Sequence, residues 1–230
     1  MLQIAGPLIE GKFVEKRNRF TAVVALENNH VLAHLPTSSR MRELLRPGAR
    51  VLLASRPNPA RVTAHSLIMA FTGEELVSVD SGVPNRLLDI AFRQQWLPEF
   101  AGWEYVRREV SLGQSRLDFL LAQTDWRCWV EAKSVTLVEQ GRALFPDAPT
   151  QRGTRHLHEL ARAHAQGERA AVVFIVQRGD AEVFSPNRAT DPEFAAALGE
   201  VMHQGIEVFA YTCRVNPQRI EIDRRIRIRL

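Results

Sequence analysis

Glu131 and Lys133, one residue apart in the run VEAKSVTL, are the side chains of this sequence best placed to do chemistry together. In an extended strand successive side chains alternate, so both point to one face. The preceding run, SRLDFLLAQTDWRCW, reads as the other arm of a hairpin. A two-residue loop at Thr124-Asp125 then sets Asp118 directly opposite Glu131, with Cβ atoms roughly 5 Å apart. Two facing carboxylates repel unless something cationic sits between them, so this register requires a divalent metal, or Lys133, as compensation. The same reasoning at the turn Gly113-Gln114 brings Glu109 beside Asp118. A slip of one residue in either hairpin would turn the set to the opposite face.

These residue types have a chemical reason to be together. A hard cation such as Mg²⁺ or Mn²⁺ binds through one or two carboxylates, keeps several waters, and can polarise a phosphate while activating water. A neighbouring ammonium can orient the nucleophile or stabilise charge developing on phosphorus. Aspartate followed about thirteen residues later by Glu-x-Lys resembles the PD-(D/E)xK nuclease motif, with Asp118, Glu131 and Lys133 as the catalytic set. Leu117 stands where the motif has proline, and Pro146-Asp147 follows Glu-x-Lys, in the wrong order. The competing structural reading is a strand with solvated charges in which Lys133 only pairs with a glutamate.

The elements that must hold this set fall into two groups. Up to about residue 80 the sequence reads as short strands at Leu8–Val14, Phe20–Leu26, Val31–Leu35, Arg50–Ala54, Arg61–Ala70 and Glu75–Val79, with one or two helical turns in SRMRELL. That inventory suggests an oligonucleotide-binding (OB-fold-like) β-barrel over residues 1–82. From DSGVPN onward the pattern changes to an amphipathic helix capped by Asn85, a three-stranded meander, and then helices alternating with continuous apolar strands such as AAVVFIV. Residues 83–230 therefore read as an α/β domain with a mixed sheet covered on both faces.

Composition narrows the setting. The chain has 230 residues and a formal charge of +4, and of its 30 basic residues only Lys12, Lys16 and Lys133 are lysines. Two cysteines, Cys128 and Cys213, are too few for a disulfide scaffold or a four-thiolate zinc site. No apolar run approaches the roughly 20 residues that span a bilayer, and MLQIAGPLIEGK lacks the basic and apolar regions of a secretory signal. The expectation is a cytoplasmic globular protein with no membrane partner.

Several long blocks give the sequence a family likeness: PLIEGKFVEKRNRF, PGARVLLASRPNPAR, PNRLLDIA, RREVSLGQSRLDFLL, WVEAKSVTL, FPDAPTQRGTRHLHEL and IEVFAYTC. They resemble the sugar fermentation stimulation protein A family over most of the chain. The resemblance implies an N-terminal OB-like barrel joined to a restriction-endonuclease-like domain, non-specific DNA binding, and a link to regulation of maltose metabolism. It carries the nuclease-like motif onto Asp118, Glu131 and Lys133, and offers Asp89, on the helix after the linker, as a further metal-side carboxylate. Where the family usually shows a loop like HCPNTGSM, this sequence reads HLPTSSRM, without the Asn and Gly but with Arg40.

Further candidates concern phosphate. The segment Thr150 to His156 opens a helix, and a helix N-terminus with nearby arginines attracts anions, which nominates Arg152, Arg155 and His156. Arg17, Arg19 and Arg40, with further arginines to Arg56 and Arg61, give the barrel a basic balance. Phe13, Phe20 and His34 could offer stacking surfaces, although both phenylalanines also suit the barrel core. The tail RRIRIRL alternates basic and apolar residues, as a guarded edge strand would. Two functional readings result: a DNA-binding protein that retains a nuclease-like metal site, and an active Mg²⁺- or Mn²⁺-dependent nuclease acting on DNA or RNA.

Overall fold

The computed structural model describes residues 1–37, 39–55 and 63–230. Among the described residues, seven strands precede the first helix: β1 (Leu2–Gln3), β2 (Leu8–Asn18), β3 (Thr21–Ala25), β4 (His30–His34), β5 (Arg50–Ser55), β6 (His65–Thr72) and β7 (Glu75–Ser78). Strands β2 to β6 close into a five-stranded barrel in the order β4-β3-β2-β5-β6, sealed by the parallel pairing of Ala33 with His65 and His34 with Ser66. Alternation in β3 sends Ala22 and Val24 inward, where they meet Phe13, Leu35, Leu53 and Leu67. A fully buried side chain such as Val24, Leu53 or Leu67 stabilises the fold by about 2 kcal/mol relative to exposure. Gly11 lets β2 bend closely over β3, since a Cβ there would lie 2.6 Å from Val24 Cγ1. The run SRMRELL makes a single turn, with Leu45 N–H donating to the Met41 carbonyl at 2.9 Å.

The second body follows with α1 (Val83–Arg93), β8 (Glu104–Leu112), β9 (Ser115–Gln123), β10 (Trp126–Val135), β11 (Val138–Glu139), β12 (Arg142–Phe145), α2 (Gln151–Ala165), β13 (Arg169–Val176), β14 (Val183–Pro186), α3 (Pro192–His203), β15 (Glu207–Val215) and β16 (Arg219–Ile228). Its strands form one mixed sheet in the order β11-β12-β14-β16-β15-β13-β10-β9-β8. The strands β10, β13 and β15 are parallel neighbours, and β8 to β10 form the expected antiparallel meander. Leu87, Leu88 and Phe92 of α1 cover one face together with Leu52, Ile68 and Met69 from the outside of the barrel. Leu157 and Leu160 of α2 and Leu198 and Val201 of α3 cover the other. The fold is thus an OB barrel joined to a restriction-endonuclease-like α/β body.

Several local expectations are corrected. The basic tail is no edge: β16 pairs with β15 on one side and with β14 and β1 on the other, and its Ile226 is buried in the core. The first strand joins that sheet and not the barrel, through Leu2 paired with Ile220. The short strands β11, β12 and β14 lie in sequence too irregular for a period-two pattern to reveal. Helix α1 begins earlier than Asn85 suggested, because Gly82 occupies the N-cap and Pro84 fits the first turn. Both cysteines are free and buried, and no helix among the described residues is long and apolar enough to cross a membrane.

Candidate functional site

The β9–β10 hairpin turns at Thr124-Asp125, with Thr124 at φ +53 and Gln123 paired to Trp126. The ladder runs on through Leu121 with Cys128 and Leu120 with Trp129, and its last recorded pair is Phe119 with Val130. This is the register expected from the two-residue loop, and it ends one pair short of Asp118 and Glu131. Beyond Phe119 the strands part, and the Asp118 carboxylate takes the place of the ladder: Oδ2 accepts from the Ala132 N–H at 2.9 Å. Its other oxygen accepts from Asn85 Nδ2 at 2.6 Å. The alternation of β9 also breaks here, for Leu117 packs with the α2 side of the sheet and Phe119 with the α1 side. Opposite the break, Glu109 adopts φ +56, a left-handed backbone conformation within an unshifted stretch of the β8–β9 ladder.

On β10, Glu131 and Lys133 share the face covered by α2. Lys133 Nζ donates to Glu131 Oε1 at 2.7 Å, and His156 Nδ1 lies 2.5 Å from the same oxygen. All three side chains are almost wholly buried. Arg152 Nε donates to His156 Nε2 at 3.3 Å. An imidazole nitrogen that accepts is unprotonated, so this contact places the proton on Nδ1, aimed at Glu131. The second glutamate oxygen, Oε2, is buried and has no hydrogen-bond partner.

The two carboxylates are driven apart in acidity. Burial would raise the Glu131 pKa, but the charge of Lys133 and the contact from His156 outweigh it and hold Glu131 near 2. Burial, reinforced by the charge on Glu131, raises Asp118 to about 6 against the opposing pull of the Ala132 N–H, Lys133 and Asn85. Pairs of carboxyl groups pushed in opposite directions by their surroundings mark places where proton and cation chemistry is set up.

The other sequence candidates are distributed differently. Asp89 is not brought to the pair: its carboxylate receives Arg93 Nε at 3.2 Å, one turn along the helix, and faces Tyr105. The residue of α1 that reaches Asp118 is Asn85, four positions earlier on the same face. Glu109 turns outward to Arg116 at 2.8 Å, both side chains being largely exposed, because its left-handed backbone swings it off the sheet face. His156, expected beside a phosphate with Arg152 and Arg155, is 2% exposed and engaged with Glu131, whereas Arg155 is exposed. The hydroxyl of Thr150 caps α2 by accepting from Gly153 N–H at 3.0 Å.

On the barrel, Arg17, Arg19 and Arg40 are exposed or partly so. The Arg19 guanidinium lies 5.2 Å from the Phe20 ring centre. Phe20 is exposed and departs from the core expectation, while Phe13 is buried. Arg56 and Arg61 lie outside the described residues. Asp147, set aside by motif order, ties the barrel to the second body: Oδ2 accepts from the Arg40 N–H at 2.8 Å and the Met41 N–H at 3.1 Å. Lys16 Nζ donates to the carbonyls of Ser39 and Arg40 in the same loop, at 2.9 and 2.8 Å.

A divalent ion would find few donors here. Among the described residues no three His, Cys, Asp or Glu side chains converge on one point. Asp118 and Glu131 supply two carboxylates, one with the orphaned buried Oε2. That is the sparse, oxygen-only set on which a hydrated Mg²⁺- or Mn²⁺-like ion is held, with water completing its shell. The residues fit such an ion.

Comparison with known proteins places these features in context. Residues 82–219 match the family model described as the sugar fermentation stimulation protein RE domain, and residues 14–79 match that described as the SfsA N-terminal OB domain. A sugar fermentation stimulation protein homolog of Caldanaerobacter subterraneus subsp. tengcongensis is 42% identical over 225 residues, covering 98% of both chains. The homolog of Moorella thermoacetica is 43% identical over 100% of both chains. The solved structure of Pyrococcus furiosus SfsA in complex with Ca²⁺ superposes with a TM-score of 0.91, covering 100% of both chains at 26% identity.

Proposed function

Because the chain belongs to the sugar fermentation stimulation protein family, we propose that it is a DNA-binding protein, acting without sequence preference, that holds a divalent cation between Asp118 and Glu131. The observation that carries the metal part is the buried, partnerless Glu131 Oε2 beside a hairpin that aligns Asp118 with it. A buried carboxylate oxygen with no donor is costly, and a cation would relieve that cost. The relative from Pyrococcus furiosus was solved with Ca²⁺, which supports the same reading. In the cell the grip would serve the family's regulatory role in sugar metabolism.

The chain's own groups have distinct tasks in this account. Asn85 and the Ala132 N–H fix the Asp118 carboxylate in one orientation. Lys133 and His156 both take Oε1 of Glu131 and leave Oε2 for the ion. Arg155 and the barrel arginines Arg17, Arg19 and Arg40 would meet the phosphate backbone, a sequence-independent attraction that weakens steeply with salt. A bound Mg²⁺ or Mn²⁺ would polarise a phosphate and offset the charge that develops on it.

A second reading, phosphodiester hydrolysis, is favoured by Lys133. Its ammonium gives one donor to Glu131 and has two more for a phosphate oxygen or an attacking water. Incubating single- and double-stranded DNA with Mg²⁺ or Mn²⁺ separates the readings. Cleavage by the wild type that Asp118→Ala and Lys133→Ala both abolish establishes hydrolysis. Salt-sensitive binding with the same cleavage background in all three proteins leaves the binding reading alone. Binding that ignores salt contradicts the phosphate grip.

A further inference from the structure

Away from the carboxylate pair, a cavity of about 470 Å³ opens where the barrel, the N-terminal segment and α1 meet. Its walls are Ile68 and Met69 of β6, Ile4 from the N-terminal segment, and Val83 of α1. Ser78 lies directly across the ladder from Met69, so its side chain shares that outward barrel face. Ser78 is fully buried and its hydroxyl has no hydrogen-bond partner. At the rim, Arg86 pairs with Asp80 at 2.6 Å, so the lining carries no uncompensated charge there. A slot with apolar walls, polar groups at Gln3, His34 and Ser66, an unused hydroxyl and a paired rim charge suits a neutral, flat heterocycle: apolar faces, a hydrogen-bonding edge, and no charge to bury.

His34, which also lines the cavity, connects it to an aromatic platform. The Phe20 carbonyl lies 3.2 Å from His34 Nδ1 and accepts from the Leu35 N–H at 2.8 Å, so the tip of the β2–β3 turn is fastened to the cavity's edge. Phe20 itself is 47% exposed with the Arg19 guanidinium over its ring. An exposed ring beside an arginine is a sequence-tolerant surface on which a base can stack. On the other side of the cavity, Arg86 adjoins Asn85, the donor to Asp118. The first turn of α1 therefore forms part of the cavity wall and also holds one of the two carboxylates.

We propose that this cavity takes one unstacked base of a DNA single strand whose neighbouring base stacks on Phe20. The proposal rests on the DNA-binding reading above. The strand is thereby held across the first turn of α1 from the carboxylate pair, with its backbone beside Arg19 at the Phe20 platform.

The test uses the full-length protein and a short single-stranded oligonucleotide containing 2-aminopurine, whose fluorescence rises when the base leaves its stack. Anisotropy of a second dye on the same strand reports binding. Ala5→Trp fills the cavity mouth from an exposed position, and Phe20→Ala removes the platform; neither changes a buried side chain, and thermal melts verify folding. Wild type should bind with a rise in 2-aminopurine emission. Ala5→Trp should lose the rise, and Phe20→Ala should weaken binding about tenfold. Salt-sensitive binding without a rise, or the same rise in Ala5→Trp, overturns the cavity proposal and leaves the DNA-binding reading standing. An unchanged affinity in Phe20→Ala overturns the stacking platform. No binding at low salt by any variant overturns both the cavity proposal and the reading beneath it.

Discussion

His156 Nδ1 lies 2.5 Å from Glu131 Oε1, with both side chains almost entirely withdrawn from solvent. Helix α2 thus contributes to the carboxylate pair from across the sheet face. Lys133 completes the arrangement from the same strand as the glutamate. With Oε1 occupied twice, the rotation of the carboxylate is settled, and Oε2 is the oxygen left for a cation.

Removing the imidazole should therefore disturb metal binding even though His156 is not a ligand. His156→Ala should lower Ca²⁺ affinity by about ten- to a hundredfold, the usual cost of losing a hydrogen bond that orients a ligand. His156→Asn, whose amide can donate near the Nδ1 position, should recover much of it. Calorimetric titration of the two variants checks this; equal affinity in His156→Ala and wild type would show that Glu131 is oriented without help.

Asp118 should make the metal-free protein less stable at neutral pH than it need be. Burial and the charge of Glu131 raise its pKa to about 6 in the fold, whereas an unfolded aspartate titrates near 3.9. The folded state therefore holds the proton more tightly. Its stabilising contribution is complete below about pH 4 and disappears as pH rises through 6, a swing of roughly 3 kcal/mol. Asp118→Asn should raise the metal-free melting temperature at about pH 7 and change it little at about pH 4. Added Ca²⁺ should stabilise wild type and leave the variant unmoved. Melting curves at the two pH values, with and without Ca²⁺, decide the matter.

Asp147 should act as the clasp between barrel and nuclease-like body. Asp147→Ala removes the acceptor for two backbone donors, those of Arg40 and Met41, at a cost of about 1–3 kcal/mol. Hydrogen exchange should accelerate at those two amides while the amides of β10 and β13 keep their protection. Uniformly faster exchange would mean that the clasp is part of one global unfolding unit.

The register of the β9–β10 hairpin was legible in the sequence because a two-residue loop fixes it, and register follows from counting. Strands with strong alternation or long apolar runs, such as β3 and β13, were legible for similar local reasons. What escaped were features decided by partners distant in the chain. Asp89 looked the natural acidic neighbour, yet the helix presents Asn85 to Asp118, and Arg93, four residues on, draws Asp89 away. Glu109 keeps the register expected opposite Asp118, yet its left-handed backbone turns the side chain out to Arg116. Nothing local in RRIRIRL reveals that β14 and β1 flank it, and Phe20 cannot be told from Phe13 by residue type.

The account stands or falls on whether Asp118 and Glu131 together bind a divalent ion. Titrating Ca²⁺ and Mn²⁺ into the metal-free protein by calorimetry, beside Asp118→Asn and Glu131→Gln, measures this directly. Wild type should show saturable binding of both ions, and each variant should lose more than about a hundredfold in affinity, exceeding the loss from removing a mere supporting hydrogen bond. Equal binding in all three proteins, or none in the wild type, would contradict the account.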